Sequence, residues 1–94
     1  MWLLIAYDVA TTTPAGERRL RRVARVCQDF GQRVQKSVFE CQVGPVEWAV
    51  LRQRLLDEVN LQEDSLRIYH LDANVRVEHH GIGVPVNFED PLII

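Results

Sequence analysis

At 94 residues, with 47% hydrophobic and 26% charged side chains, the chain has the composition of an ordinary globular protein, which excludes the disordered and fibrous classes. A chain of this length buries roughly 60 to 65% of its extended surface, enough for one core and not for two. The formal net charge of -2 hides an asymmetry: residues 1 to 43 carry seven bases against four acids, or +3, while residues 44 to 94 carry four bases against nine acids, or -5, so a local anion-binding face is compatible with the near-neutral total.

Met1 to Val9 is a short, nearly continuous apolar run ending in a carboxylate, the pattern of a central strand buried on both faces. It has no basic stretch before it and meets Tyr7-Asp8 at once, and no apolar run reaches the roughly 18 to 20 residues of a membrane span, so a cytoplasmic protein with no membrane partner is expected. Thr13 is placed to cap a helix whose first residue is Pro14. In that helix Leu20, Val23, Ala24, Cys27 and Phe30 recur at three- and four-residue steps, arginines fill the other positions, and Gly31 offers a left-handed stop. Arg33 to Val43, rich in β-branched and aromatic residues, predicts two short strands turning near Lys36-Ser37.

Gly44-Pro45 opens a second helix with Trp48, Leu51, Leu55 and Val59 on one face and Asn60 as its stop, and Asp64 to Leu71 alternates as a strand. The order β-α-β-β-α-β over residues 1–72 predicts an α+β, ferredoxin-like domain, a four-stranded antiparallel sheet with both helices on one face. Residues 73–94 form a tail too apolar to leave in water, and part of Val75 to Ile94 is expected to add a strand to a sheet edge, the partner subunit's in a dimer.

Cys27 and Cys41 fall in helical and strand patterns without zinc spacing and are expected to be reduced core thiols. His79-His80 resembles a metal pair, but strand neighbours face opposite ways, and His70 reads as a satisfied structural histidine. Asp8, where the backbone leaves the first strand, is either a functional carboxylate or a turn former.

Ile5-Ala6-Tyr7-Asp8-Val9, the arginine-rich helix closing at Gly31, the segment Val34 to Glu40 and the helix from Trp48 to Val59 stand in the order of the Cas-two family, and residues 1 to 72 resemble those small dimeric proteins of CRISPR adaptation. The resemblance implies a homodimer in which Asp8 from each subunit meets across the two-fold axis and holds a divalent metal, usually magnesium (Mg2+). Symmetry would supply the second carboxylate that one chain lacks. It also implies nucleic-acid contacts at Tyr7, Arg18, Arg19, Arg33 and Phe39; Tyr7 is equally a packing aromatic, and Phe39 either stacks on a base or closes the dimer core.

The function so implied is metal-dependent endonuclease activity on RNA or DNA during spacer acquisition, in antiviral defence alongside the CRISPR integrase (Cas-one). The alternative is a scaffold that holds duplex DNA between integrase dimers without cutting, and the fold alone also allows a toxin-type endoribonuclease or a regulatory domain.

Overall fold

The computed structural model describes residues 1–72 and 74–83. Its elements are β1 (Trp2–Asp8), α1 (Pro14–Phe30), β2 (Gly31–Gln35), β3 (Val38–Gln42), α2 (Pro45–Glu58), β4 (Ser65–His70) and β5 (Arg76–Gly81). All strand pairs are antiparallel, in the order β2-β3-β1-β4-β5. The first four strands and two helices are the ferredoxin-like arrangement, and β5 extends its sheet. None of the helices is long and apolar enough to cross a membrane.

The period of two along each strand splits the sheet into a covered and an open face. Leu3, Ile5 and Tyr7 of β1, Phe39 and Cys41 of β3, and Leu66 and Ile68 of β4 are buried with Val23 and Cys27 of α1 and Leu51 and Leu55 of α2 in one core cluster. Both helices therefore lie on one face. The apolar run of β1 is not buried on both sides: Leu4 and Ala6 are only half-buried and Trp2 is 47% exposed, on the open face. Cys27 and Cys41 are free thiols in the core, and burial pushes them up to about 12 and about 11, so both stay protonated.

The helix starts follow the sequence signals. Thr13 Oγ1 accepts a hydrogen bond from the Gly16 N–H at 3.1 Å, with Pro14 opening the helix. The Glu47 carboxylate of α2 accepts from the Gly44 N–H at 3.2 Å. The end of α1 departs from expectation. Gly31 has φ -159°, extended rather than left-handed, and enters β2 directly. Glycine is required there by space, since a Cβ would stand 2.3 Å from the Glu40 carbonyl oxygen and 2.4 Å from Cys41 Sγ. The α2 helix ends at Glu58, and Asn60 instead organises the following turn, its Oδ1 accepting from the Gln62 N–H at 2.9 Å. Strands β2 and β3 turn at Lys36-Ser37 as expected, with the register shifting between Arg33 and Gln35.

The expected tail strand exists as β5, but it pairs with β4 of its own chain, from Ser65 opposite Gly81 to His70 opposite Arg76. The remainder of the tail, 84–94, lies outside the described residues.

One polar group sits inside this frame. Asp64, 1% exposed, accepts from Arg19 Nε at 2.7 Å and Nη2 at 3.1 Å, from the Ala10 N–H at 3.0 Å and from the Asn60 N–H at 2.8 Å. Burial alone would raise this carboxyl, but the Arg19 hydrogen bonds and the two backbone donors outweigh it and hold Asp64 below its ordinary value of 3.8. Its stabilisation is therefore present above that ordinary value and fades as pH falls through the lower folded one.

Asp64→Ala strands a guanidinium and two N–H groups, and is expected to cost about 3–5 kcal/mol in denaturant unfolding. The variant should also lose less stability than the parent when pH is lowered below about 4. Phe39, fully buried, is expected to cost about 3–5 kcal/mol of folding stability as Phe39→Ala. Phe39→Leu should leave RNA and DNA binding unchanged in a fluorescence-anisotropy titration, whereas a base-stacking role would remove roughly 1–3 kcal/mol of binding.

Candidate nucleic-acid and metal site

Asp8 is the last residue of β1, and the alternation that buries Tyr7 turns Asp8 to the open face, opposite Ser65 of β4. It is exposed, and among the described residues its carboxylate is in none of the side-chain hydrogen bonds or ion pairs. Ala6, Tyr7, Asp8, Ser65, Arg67 and the Ile82–Gly83 turn line a shallow cleft around it. Among the described residues no group of three or more His, Cys, Asp or Glu could hold a metal ion. Among the described residues the donor set at this cleft is thus the Asp8 carboxylate alone, which by itself does not fit a bound divalent cation.

Beneath the cleft, on the covered face, Tyr7 and Phe39 stack with ring centroids 6.2 Å apart. Tyr7 is 6% exposed and donates its hydroxyl to the Lys36 carbonyl at 3.5 Å, while the Ser37 carbonyl accepts from its N–H at 3.1 Å. Burial pushes the phenol up, nearby Cys27 adds to this, and Arg33 opposes it. Phe39 has no exposed surface for a base to stack on. Its ring packs in the core and carries the exposed Arg33 guanidinium 5.1 Å above it. Arg33 is therefore the member of this trio that reaches solvent.

The two helix arginines separate. Arg18 is exposed and, with Arg21, Arg22 and Arg25, lines an open groove on the solvent side of α1. Positions 18, 21, 22 and 25 are one helical face by spacing. Arg22 also donates from Nε to Glu58 at 2.7 Å. Arg19 points inward: it is 9% exposed and committed to Asp64, with Glu63 accepting from Nη2 at 3.0 Å. It sits in a buried ion pair, apart from the exposed arginines of the same helix. The signal was present in its position four residues before Val23 and eight before Cys27, on the apolar stripe.

His79 and His80 face opposite sides of β5, as strand alternation requires: His79 Nε2 lies 2.8 Å from the Ile82 carbonyl oxygen and His80 Nε2 lies 3.1 Å from Glu78. His70, 7% exposed, is not satisfied at Nε2, whose nearest acid is Glu78 at 3.9 Å; it is held by an edge-on contact with the Trp48 ring, centroids 5.1 Å apart. The sequence reading missed Arg21 and Arg25 as groove residues, and Ser65 and Arg67 as neighbours of Asp8. The first pair was legible in the spacing from Arg18, whereas the second needed the strand register.

Comparison with known proteins places these features in a family. The model of the family described as CRISPR associated protein Cas2 matches residues 1–78. A CRISPR-associated endoribonuclease Cas2 of Chlorobaculum tepidum is 54% identical over 100% of both chains. One of Nitratidesulfovibrio vulgaris, of the same description, is 54% identical over 100% of this chain and 94% of its own. The crystal structure of Streptococcus pyogenes Cas2 at pH 6.5 superposes with a TM-score of 0.71 at 51% identity, covering 79% of this chain and 89% of that one. With its sequence and its sheet both matched, the chain belongs to the CRISPR associated protein Cas2 family.

Proposed function

We propose that this protein is a CRISPR adaptation nuclease that cuts RNA or DNA phosphodiesters as a homodimer in the cytoplasm, with Asp8 as the catalytic and metal-binding carboxylate. The observation that carries the reading is an exposed strand-end carboxylate, without a hydrogen-bond donor among the described residues, at the rim of a cleft. The names of its relatives, endoribonuclease Cas2 in both bacteria above, support the activity.

Dimerisation follows from what one chain lacks. A two-fold axis beside Asp8 doubles the carboxylates, as an isologous interface does for any residue near its axis. The open sheet face favours such contact: Trp2, Leu4, Ala6, Val38, Tyr69 and Val77 make it apolar and incompletely buried. Two facing carboxylates suit Mg2+, which takes oxygen ligands and keeps several waters. When bound, the ion supplies an activated water and neutralises charge on the phosphate. Asp8 would hold that ion, and Arg18 and Arg33, both exposed, would make paired charge-assisted bonds to phosphates farther along the nucleic acid, away from the Asp8 cleft. Tyr7 acts from beneath, fixing the end of β1 through its contacts with the Lys36–Ser37 turn.

A second reading has its own observation. The groove of Arg18, Arg21, Arg22 and Arg25 lies on the helical layer, across the sheet from the Asp8 side chain. A duplex seated there is held without being presented to Asp8, as a scaffold bridging CRISPR integrase (Cas-one) dimers would require.

Asp8→Ala is expected to abolish Mg2+-dependent cleavage of labelled RNA and DNA while light scattering still shows a dimer; cleavage at the parent rate, or a monomeric parent protein, defeats Asp8 as the shared catalytic carboxylate. Replacing Arg21 and Arg25 together by Ala should lower the slope of log K against log salt for duplex DNA by about two. An unchanged slope would remove the groove from the binding surface.

A further inference from the structure

The cleft around Asp8 has a second wall, made by β4 and β5. Asp8 stands opposite Ser65 and Ala6 opposite Arg67 in the β1–β4 ladder, and Arg67 stands opposite His79 in the β4–β5 ladder. Strand alternation therefore sends Ser65, Arg67 and His79 to the same face as Asp8. All three are half-buried rather than free surface groups.

Their hydrogen-bond character is one-sided. His79 Nε2 lies 2.8 Å from the Ile82 carbonyl oxygen. A carbonyl only accepts, so Nε2 carries a proton in that contact. Ser65 Oγ lies 3.5 Å from the same nitrogen, whose one proton goes to the nearer Ile82 carbonyl, and its own O–H is able to turn into the cleft. Arg67 has donors only. The β4–β5 wall thus offers the Ser65 hydroxyl and the Arg67 guanidinium as donors, while His79 spends its Nε2 proton on the Ile82 carbonyl and holds the turn that carries Gly83; Asp8 across from it is an acceptor.

The three groups converge. Gly83, at φ +104°, holds a left-handed turn over the cleft, and the point where its Cβ would stand lies 3.6 Å from His79 Nε2, 3.6 Å from Ser65 Oγ and 3.9 Å from Arg67 Nη2. Glycine leaves that point open.

We infer that Ser65, Arg67 and His79 form a phosphate subsite that receives an internal phosphodiester of a nucleic-acid strand next to the Asp8 centre. A donor wall facing an acceptor suits an anion on one side and a cation on the other, which is how a phosphate and its ion would sit. The inference rests on reading Asp8 as the reaction centre, and it adds what holds the substrate there. Arg67 and His79 are positioning residues: they set which phosphate of the strand faces Asp8.

The full-length protein is titrated with inorganic phosphate, and separately with an oligoribonucleotide bearing 5′- and 3′-hydroxyl ends, while NMR follows the Ser65 and Gly83 amides and the Arg67 and His79 side chains. These signals should move with both probes, the second having only internal phosphodiesters. Arg67→Ala is expected to weaken binding about tenfold or more, and His79→Gln several-fold. Asp8→Ala, which removes a like charge from the cleft, should bind either probe at least as well as the parent. Signals that move with inorganic phosphate alone overturn the diester assignment. Shifts confined to Arg18, Arg21 and Arg25, or parent-like binding in both Arg67→Ala and His79→Gln, overturn the subsite. Cleavage that persists in Asp8→Ala while the binding results hold refutes Asp8 as the reaction centre and leaves the subsite standing.

Discussion

Asp64 lies in the last turn before β4, and its two carboxylate oxygens take donors from three separate parts of the chain: Arg19 of α1, the Ala10 N–H between β1 and α1, and the Asn60 N–H after α2. Its own carbonyl accepts from the Ile82 N–H at 2.8 Å, just past β5. One residue therefore fixes the exit of β1, the start of α1, the turn into β4 and the end of β5. A buried carboxylate is tolerable only when its lone pairs are so occupied. The Asp8 cleft is assembled from these same segments, since β1 ends at Asp8, β4 begins at Ser65 and the turn after β5 holds Ile82 and Gly83. The geometry of the cleft is inherited from an acid that never meets solvent.

The polar surfaces divide by layer. The helical layer carries a row of arginines whose charge is partly answered by neighbouring acids: Arg22 by Glu58 and, further along, Arg54 by Asp29 at 2.8 Å. The sheet layer carries the exposed carboxylates of Asp8 and Glu40 on a mixed apolar surface. Long-range attraction for a polyanion resides on the first layer, and short-range chemistry on the second. Membership of the Cas2 family is compatible with either layer being the one that matters most to the cell.

Most of the fold could be read from local signals, because each has a local cause. Thr13-Pro14 and Gly44-Pro45 start helices by backbone chemistry that needs no tertiary partner. The two strands between Gly31 and Gly44 follow from β-branched and aromatic content around one tight turn. What failed depended on distant residues. Arg19 was grouped with its exposed neighbours because its acids are 44 and 45 positions away. Phe39 had a stacking and a packing reading, and the Tyr7 ring and the Arg33 guanidinium that cover it come from other strands. Gly31 was assigned a left-handed turn, whereas its absent Cβ makes room for Cys41 of the paired strand. Of the site, Asp8 was legible from its place at a strand end. Its neighbours Ser65 and Arg67 were hidden, since only the β1–β4 register brings them to it.

The irregular pairing of β2 with β3 bears on how the protein behaves when concentrated. A sheet edge with unpaired N–H and C=O groups is a template on which foreign strands grow. β2 is such an edge, and its Val34 is 45% exposed. The slip between Arg33 and Gln35 bends the strand out of a flat ladder and leaves one residue without a cross-strand neighbour. A charged guanidinium sits at the same place. That side of the molecule is thereby a poor seed for fibril-like stacking, and the chain can display an apolar sheet surface without inviting runaway polymerisation from its β2 margin.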